Sequence, residues 1–211
     1  MSKRRVMVGI VVATAATLLV SACGATPSAG AAATVGDRTI ANDVLASQVD
    51  AVQQAKLGVS GQPDAALVAD VLQRLVITDL VDVGAAKEGV VVTQGQVDQA
   101  LSAAEQQLGG RGSLLKAFLD SNVPEGAIED QIRLSVQVDE LGKKLAPNGA
   151  AQDQQQAVFT YIVQLGKELG TQVSPRYGTW VDDQLQVGPT PTDLSLPQAS
   201  PDPLAGIVPS G

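Results

Sequence analysis

The 211-residue sequence predicts a mainly α-helical domain, opened by a short strand and closed by a short strand pair. Three observations predict it. Apolar residues recur at helical spacing over several separate stretches, and glycines stand just beyond the ends of those stretches. Thr93-Gln94-Gly95-Gln96 also carries the pattern of a capping box, in which Thr93 and Gln96 satisfy each other's free backbone donors.

Ala33-Thr34-Val35-Gly36-Asp37-Arg38-Thr39-Ile40 alternates around a Gly-Asp turn, the pattern of a strand or narrow hairpin feeding a helix. Asn42 is the expected N-cap. From Asp43 to Leu57, Val44, Leu45, Val49, Val52 and Leu57 fall on one stripe, with Asp50 and Gln53 outside it. Gly58 ends that helix, and Pro63 fits the first turn of the next. From Leu67 to Val83 the chain is apolar nearly all round, as a central buried helix requires. Asp70, Arg74, Asp79 and Asp82 interrupt it too closely for a membrane span.

The capped helix after Thr93 presents Val97, Leu101, Ala104 and Leu108, and Gly109 stops it. Gly109-Gly110-Arg111-Gly112-Ser113 lacks the Gly-Lys-Ser/Thr ending of a phosphate-binding loop and follows a helix, so it is expected to be an interhelical loop. A short helix over Leu114 to Leu119 follows. Pro124 then opens a longer one reaching Leu145, with Ile128, Ile132, Val136, Leu141 and Leu145 near one stripe. A last helix spans Asp153 to Leu169. Beyond Gly170, Val173 to Val181 and Leu185-Gln186-Val187 have the composition of a strand pair containing the single tryptophan, Trp180, and Tyr177.

The N-terminus has a separate character. Lys3, Arg4 and Arg5 precede an apolar run from Val6 to Val20, which is shorter than the ~20 residues a membrane span needs, so residues 1–22 are expected to be a secretory signal. The segment Leu19-Val20-Ser21-Ala22-Cys23 resembles the lipobox of bacterial lipoproteins. That resemblance implies cleavage before Cys23, the chain's one cysteine, and lipid on its sulfur. Residues 23–32 would be a flexible tether, 33–187 the domain, and 188–211, where proline recurs without period, a disordered tail.

Charge and composition exclude several functions. Without the three basic residues of the signal, 11 basic residues face 22 acidic ones, a net charge of −11 that repels nucleic acid and anionic headgroups. Histidine is absent, which removes Ser-His-Asp and Cys-His nucleophiles and His-ligated zinc. Carboxylate pairs and Ser-Lys arrangements are the chemistry left. Asp182-Asp183 could form a metal or acid-base pair, but adjacent strand residues point to opposite faces, and the neighbouring turn residues favour a solvated turn. The sequence thus indicates no catalytic residue, no cofactor and no metal ligand.

The order of parts resembles the chaperone module of the SurA and PrsA foldases. The residues that carry it are Ala33 to Ile40, the long apolar helix, Glu88-Gly89-Val90-Val91-Val92-Thr93 before the capped helix, Phe118 to Pro124, and Pro175-Arg176-Tyr177-Gly178-Thr179-Trp180. In those foldases a parvulin prolyl-isomerase domain commonly follows the long amphipathic helix. Here only Leu145 to Ala151 occupies that place. The resemblance implies a SurA-like helical domain that binds unfolded or exported polypeptides without isomerase activity, held by the lipid at Cys23 to the extracytoplasmic face of a bacterial membrane. Apolar burial at ~25 cal/mol per Å² would hold a client with weak sequence preference. Tyr177 and Trp180 are the candidate peptide-binding residues, with packing of the returning strand as the alternative role for both. The rival functions are a structural or adaptor lipoprotein that binds a folded partner, marked by a flat patch rimmed with charge, and an enzyme using carboxylates or Ser-Lys.

Overall fold

The structure is a computed structural model that describes residues 30–58 and 61–191. The expected signal, Cys23 and residues 192–211 of the expected tail lie outside the described residues.

A β-hairpin begins the domain. β1 (Ala31–Val35) pairs antiparallel with β2 (Arg38–Ala41) around Gly36-Asp37, with Val35 opposite Arg38. Gly36 takes φ 56°, a left-handed conformation open to glycine at little cost. The strand starts two residues ahead of the expected boundary. Ala31 and Ala32 are buried because β1 is the middle strand of a sheet ordered β2-β1-β3, in which β3 (Gln172–Val173) returns from the far end of the chain.

Six α-helices follow among the described residues: α1 (Asn42–Leu57), α2 (Ala65–Lys87), α3 (Gln94–Leu108), α4 (Arg111–Asp120), α5 (Ile128–Leu145) and α6 (Ala151–Leu169). The mainly helical class is as the sequence predicts, and α2 is the central element, packed against α1, α5, α6 and the hairpin. Several ends differ. Ala41, not Asn42, is the cap of α1, since Asn42 already has helical geometry and its Oδ1 accepts a hydrogen bond from the Tyr177 hydroxyl at 3.0 Å. Pro63 stands before α2, whose N-cap is Asp64, accepting from the Ala66 N–H. α4 begins at Arg111, so the glycine-rich segment is only partly a loop: Gly109 and Gly110 make the turn and Arg111-Gly112-Ser113 is the first helical turn. The Thr93–Gln96 capping box forms as predicted.

Burial also refines the stripes. In α1 the 3.6-residue period from Leu45 runs through Val49, Val52 and Gln53, so Gln53 is buried and Val44 and Leu57 are exposed. In α5 Leu134 is buried and Val136 only half-buried, because the helix changes neighbours along its length. Its first half joins a small core of Val97, Leu114, Val123, Ala127, Ile128 and Ile132 with α3 and α4. Its second half, with Leu134 and Leu141, joins the main core around Leu72, Val76, Leu80 and Ile162. α5 is therefore the beam between two lobes.

The chain closes on itself at the C-terminus. After Gly170, β3 adds to β1, and a second hairpin of β4 (Thr179–Val181) and β5 (Gln186–Gly188) carries Trp180, Leu185 and Val187 into the main core. The predicted strand pair is this hairpin, and it continues one residue past the expected domain end.

Arg38 ties the first hairpin to α2, reaching Asp79 at 2.7 Å and Asp82 at 3.5 Å. Burial raises the Asp79 carboxyl above the usual carboxylate range, Arg38 opposes that rise, and the Asp82 charge adds to it. A carboxyl with a raised folded-state pKa favours the fold at low pH, and that contribution is lost as pH rises through the folded value. Arg38→Ala should therefore destabilise the domain at neutral pH by about 1 kcal/mol, since Arg38 is half-exposed. The deficit should shrink as the pH falls into the acid range, and adding Asp79→Asn should remove most of it. Denaturant melts at neutral and acid pH check this, and an equal deficit at both would refute the assignment.

Candidate functional site

The central helix carries polar residues at four-residue steps along one side: Asp70, Arg74, Thr78 and Asp82. Helical geometry places such residues on one face, here turned toward α1 and α5. At the top, Asn122 takes φ 60° in the turn after α4; its Oδ1 accepts from Lys56 Nζ at 2.6 Å and its Nδ2 donates to Asp70 at 3.0 Å. One amide thus clasps the small lobe to both α1 and α2. At the bottom, Gln137 Nε2 donates to Asp82 at 2.9 Å, and Arg38 approaches the same carboxylate.

Between these ties lies a cleft of about 250 Å³, with Gln48, Arg74, Thr78 and Asp82 on one wall and Asp130, Gln131, Arg133 and Gln137 on the other. Arg74 is half-buried there. One of its guanidinium nitrogens donates to Gln48 Oε1 at 3.1 Å, and it makes no ion pair among the described residues. Burial lowers its pKa and the Asp130 charge raises it again; an arginine nevertheless stays protonated. Thr78 spends its hydroxyl on the Arg74 carbonyl at 2.9 Å. Arg133 is held by the Gln94 amide at 2.7 Å and by Glu129. Leu75 and Ala127 also line it, but most of the wall is hydrogen-bonding groups, so the cleft is not a broad apolar groove.

An apolar depression of about 240 Å³ lies elsewhere. It is bounded by Leu45, Ala46, Val49 and Asp50 of α1, Pro63 just before α2, Val68 in the first turn of α2, and Arg176 and Tyr177. Arg176 stacks over the Tyr177 ring at 4.6 Å from its centroid, while the hydroxyl is tied to Asn42. Trp180 does not share this depression. It is 9% exposed, its Nε1 donates to Asp182 at 3.0 Å, and its edge faces a different hollow with Val173, Pro175 and Pro191. The two predicted aromatics are brought to the same returning segment but not to the same surface.

Asp182 and Asp183 sit in a 3₁₀ turn between β4 and β5. Asp182 receives the indole and Asp183 pairs with Lys167 at 2.5 Å, so each carboxylate has its own side-chain partner. Among the described residues no group of three or more His, Cys, Asp or Glu is arranged to hold a metal ion, and no helix is long and apolar enough to cross a membrane. Sequence reasoning missed the role of Arg74, seeing it only as a charge interrupting an apolar helix. The available signal was the four-residue recurrence of Asp70, Arg74, Thr78 and Asp82, which marks a polar side rather than scattered charges. No family model, no curated protein and no solved structure matches the chain.

Proposed function

We propose that the chain is a lipid-anchored, extracytoplasmic polypeptide-binding module of the SurA and PrsA chaperone kind, without isomerase activity. The observation that carries this reading is the apolar depression beside Tyr177. Its walls are mostly apolar, with Asp50 and Arg176 as charged members, and its size suits one or two apolar residues of an extended client. The open arrangement favours weak, sequence-tolerant contact, and attachment at Cys23 would keep the module where exported chains emerge. The connection between α5 and α6 is only Ala146 to Ala150, which leaves no room for an inserted isomerase domain.

Two measurements test the reading. The chain should suppress aggregation of an unfolded exported protein, and Ala46→Glu, at an exposed position on the rim of the depression, should weaken suppression several-fold while leaving the melt unchanged. Unchanged suppression would remove the depression from the function, and no suppression by the wild type would end the chaperone reading. Cys23→Ser should abolish partition into the detergent phase; persistent membrane association after that change would end the lipid-anchor reading.

A further inference from the structure

We propose that the cleft between α2 and α5 is a carboxylate-binding site centred on Arg74. Its carboxylate is carried by a polypeptide, an identity that rests on the polypeptide-binding reading above. A guanidinium presents five donors in a planar fork that matches a carboxylate edge. Arg74 uses one donor direction on Gln48, at 3.1 Å, and meets no carboxylate within ion-pair distance among the described residues. A half-buried cation left in this state is unusual in a chain with 22 acidic residues and, beyond Lys3, Arg4 and Arg5, 11 basic ones.

The surrounding groups fit the same ligand. Asp70, four residues before Arg74 on the same helix face, is held by Asn122 Nδ2 at 3.0 Å, and Asp82 further along is held by Gln137 and Arg38. Arg133 is engaged by Gln94 and Glu129. Asp130 is solvent-exposed at the cleft mouth, near enough to influence Arg74 but not paired with it. The cleft therefore holds one guanidinium without a carboxylate partner, the Gln131 amide in its lining to bond the adjoining peptide unit, and Asp130, a charge of the ligand's own sign, at the entrance. Two changes should then act in opposite directions. Removing the fork should weaken carboxylate binding, and neutralising Asp130 should strengthen it.

Calorimetric titration of the full chain with four acetylated tripeptides separates the sources of the carboxylate. Ac-Ala-Ala-Ala with a free C-terminus is compared with its amide, and amidated Ac-Ala-Glu-Ala with amidated Ac-Ala-Gln-Ala. Tighter binding of the first member of the first pair assigns a chain end, and of the second pair an acidic side chain; either supports the site. Arg74→Gln should reduce the preferred peptide's affinity by about tenfold, with Arg74→Lys in between, and Asp130→Asn should raise it by a few-fold. In the wild type, the same peptide should shift the side-chain amide resonances of Gln48 and Gln131, a readout independent of whether any variant folds.

Equal binding of acid and amide in both pairs, or a preference untouched by Arg74→Gln and by Asp130→Asn, would overturn the proposal. If aggregation suppression persists in that case, the polypeptide-binding reading survives without this site. If carboxylate peptides bind through Arg74 while no unfolded client is protected, the site stands and the chaperone reading falls.

Discussion

Replacing Trp180 with alanine is expected to lower the stability of the full chain by about 3–5 kcal/mol, the usual cost of truncating a buried large aromatic. The indole is the largest side chain in a main core otherwise made of valine, leucine, isoleucine and alanine. Its removal leaves a cavity that β4 and β5 can close only by shifting, and it strips Asp182 of its indole donor. Since a domain of this size has a net stability of about 5–15 kcal/mol, the loss should move the denaturant midpoint substantially. Truncation from Gly188 onward would also be felt, because Gly188 is the register partner of Thr179. A Trp180→Ala chain that melts like the wild type would show that the hairpin does not depend on this anchor.

The second large effect is expected at Gly84, where α2 and α6 touch. A Cβ there would lie 2.9 Å from Cε1 of Tyr161, 3.2 Å from Cδ1 of Ile162 and 3.3 Å from Cδ2 of Leu165. The Gly84 carbonyl also accepts from the Tyr161 hydroxyl at 3.4 Å. Alanine gains about 1 kcal/mol of helix propensity over glycine, so Gly84→Ala should come out near neutral as the Tyr161 ring edge gives way. Gly84→Val adds two further carbons against Ile162 and Leu165 and should cost about 1–3 kcal/mol from overpacking. Thermal melts of the two variants decide it; equal stability of Val and wild type would mean that the helices separate freely at this point.

How far the fold was legible follows from which interactions set each element. Residue-to-residue chemistry along the chain was enough for the capping box at Thr93, the hairpin turn at Gly36-Asp37 and the helix stop at Gly170. Each of these is satisfied by groups within a few residues, so the sequence states it directly. The start of β1 was less legible, because Ala31 and Ala32 are small and featureless until Ala41 of β2 pairs with Ala31 and the Ser174 N–H, just after β3, donates to the Ala32 carbonyl. Nor could periodicity foresee the exposure of Val44 or the burial of Gln53, whose Oε1 has no hydrogen-bond partner among the described residues. Such burial depends on which neighbours a helix acquires.

The candidate sites divide in the same way. The sequence by itself determined the helical class, the lack of any histidine and the aromatic character of the returning segment, and it supplied the resemblance to a lipobox before Cys23. Those are properties of composition and local order. Only the tertiary structure decided that Tyr177 and Trp180 face different hollows and that α5 joins two cores. It also decided that Arg74, 56 residues from Asp130 in the chain, faces a cleft with no carboxylate paired to it. Pairing and its absence are set by the approach of distant helices, a quantity that spacing along one strand of sequence does not contain.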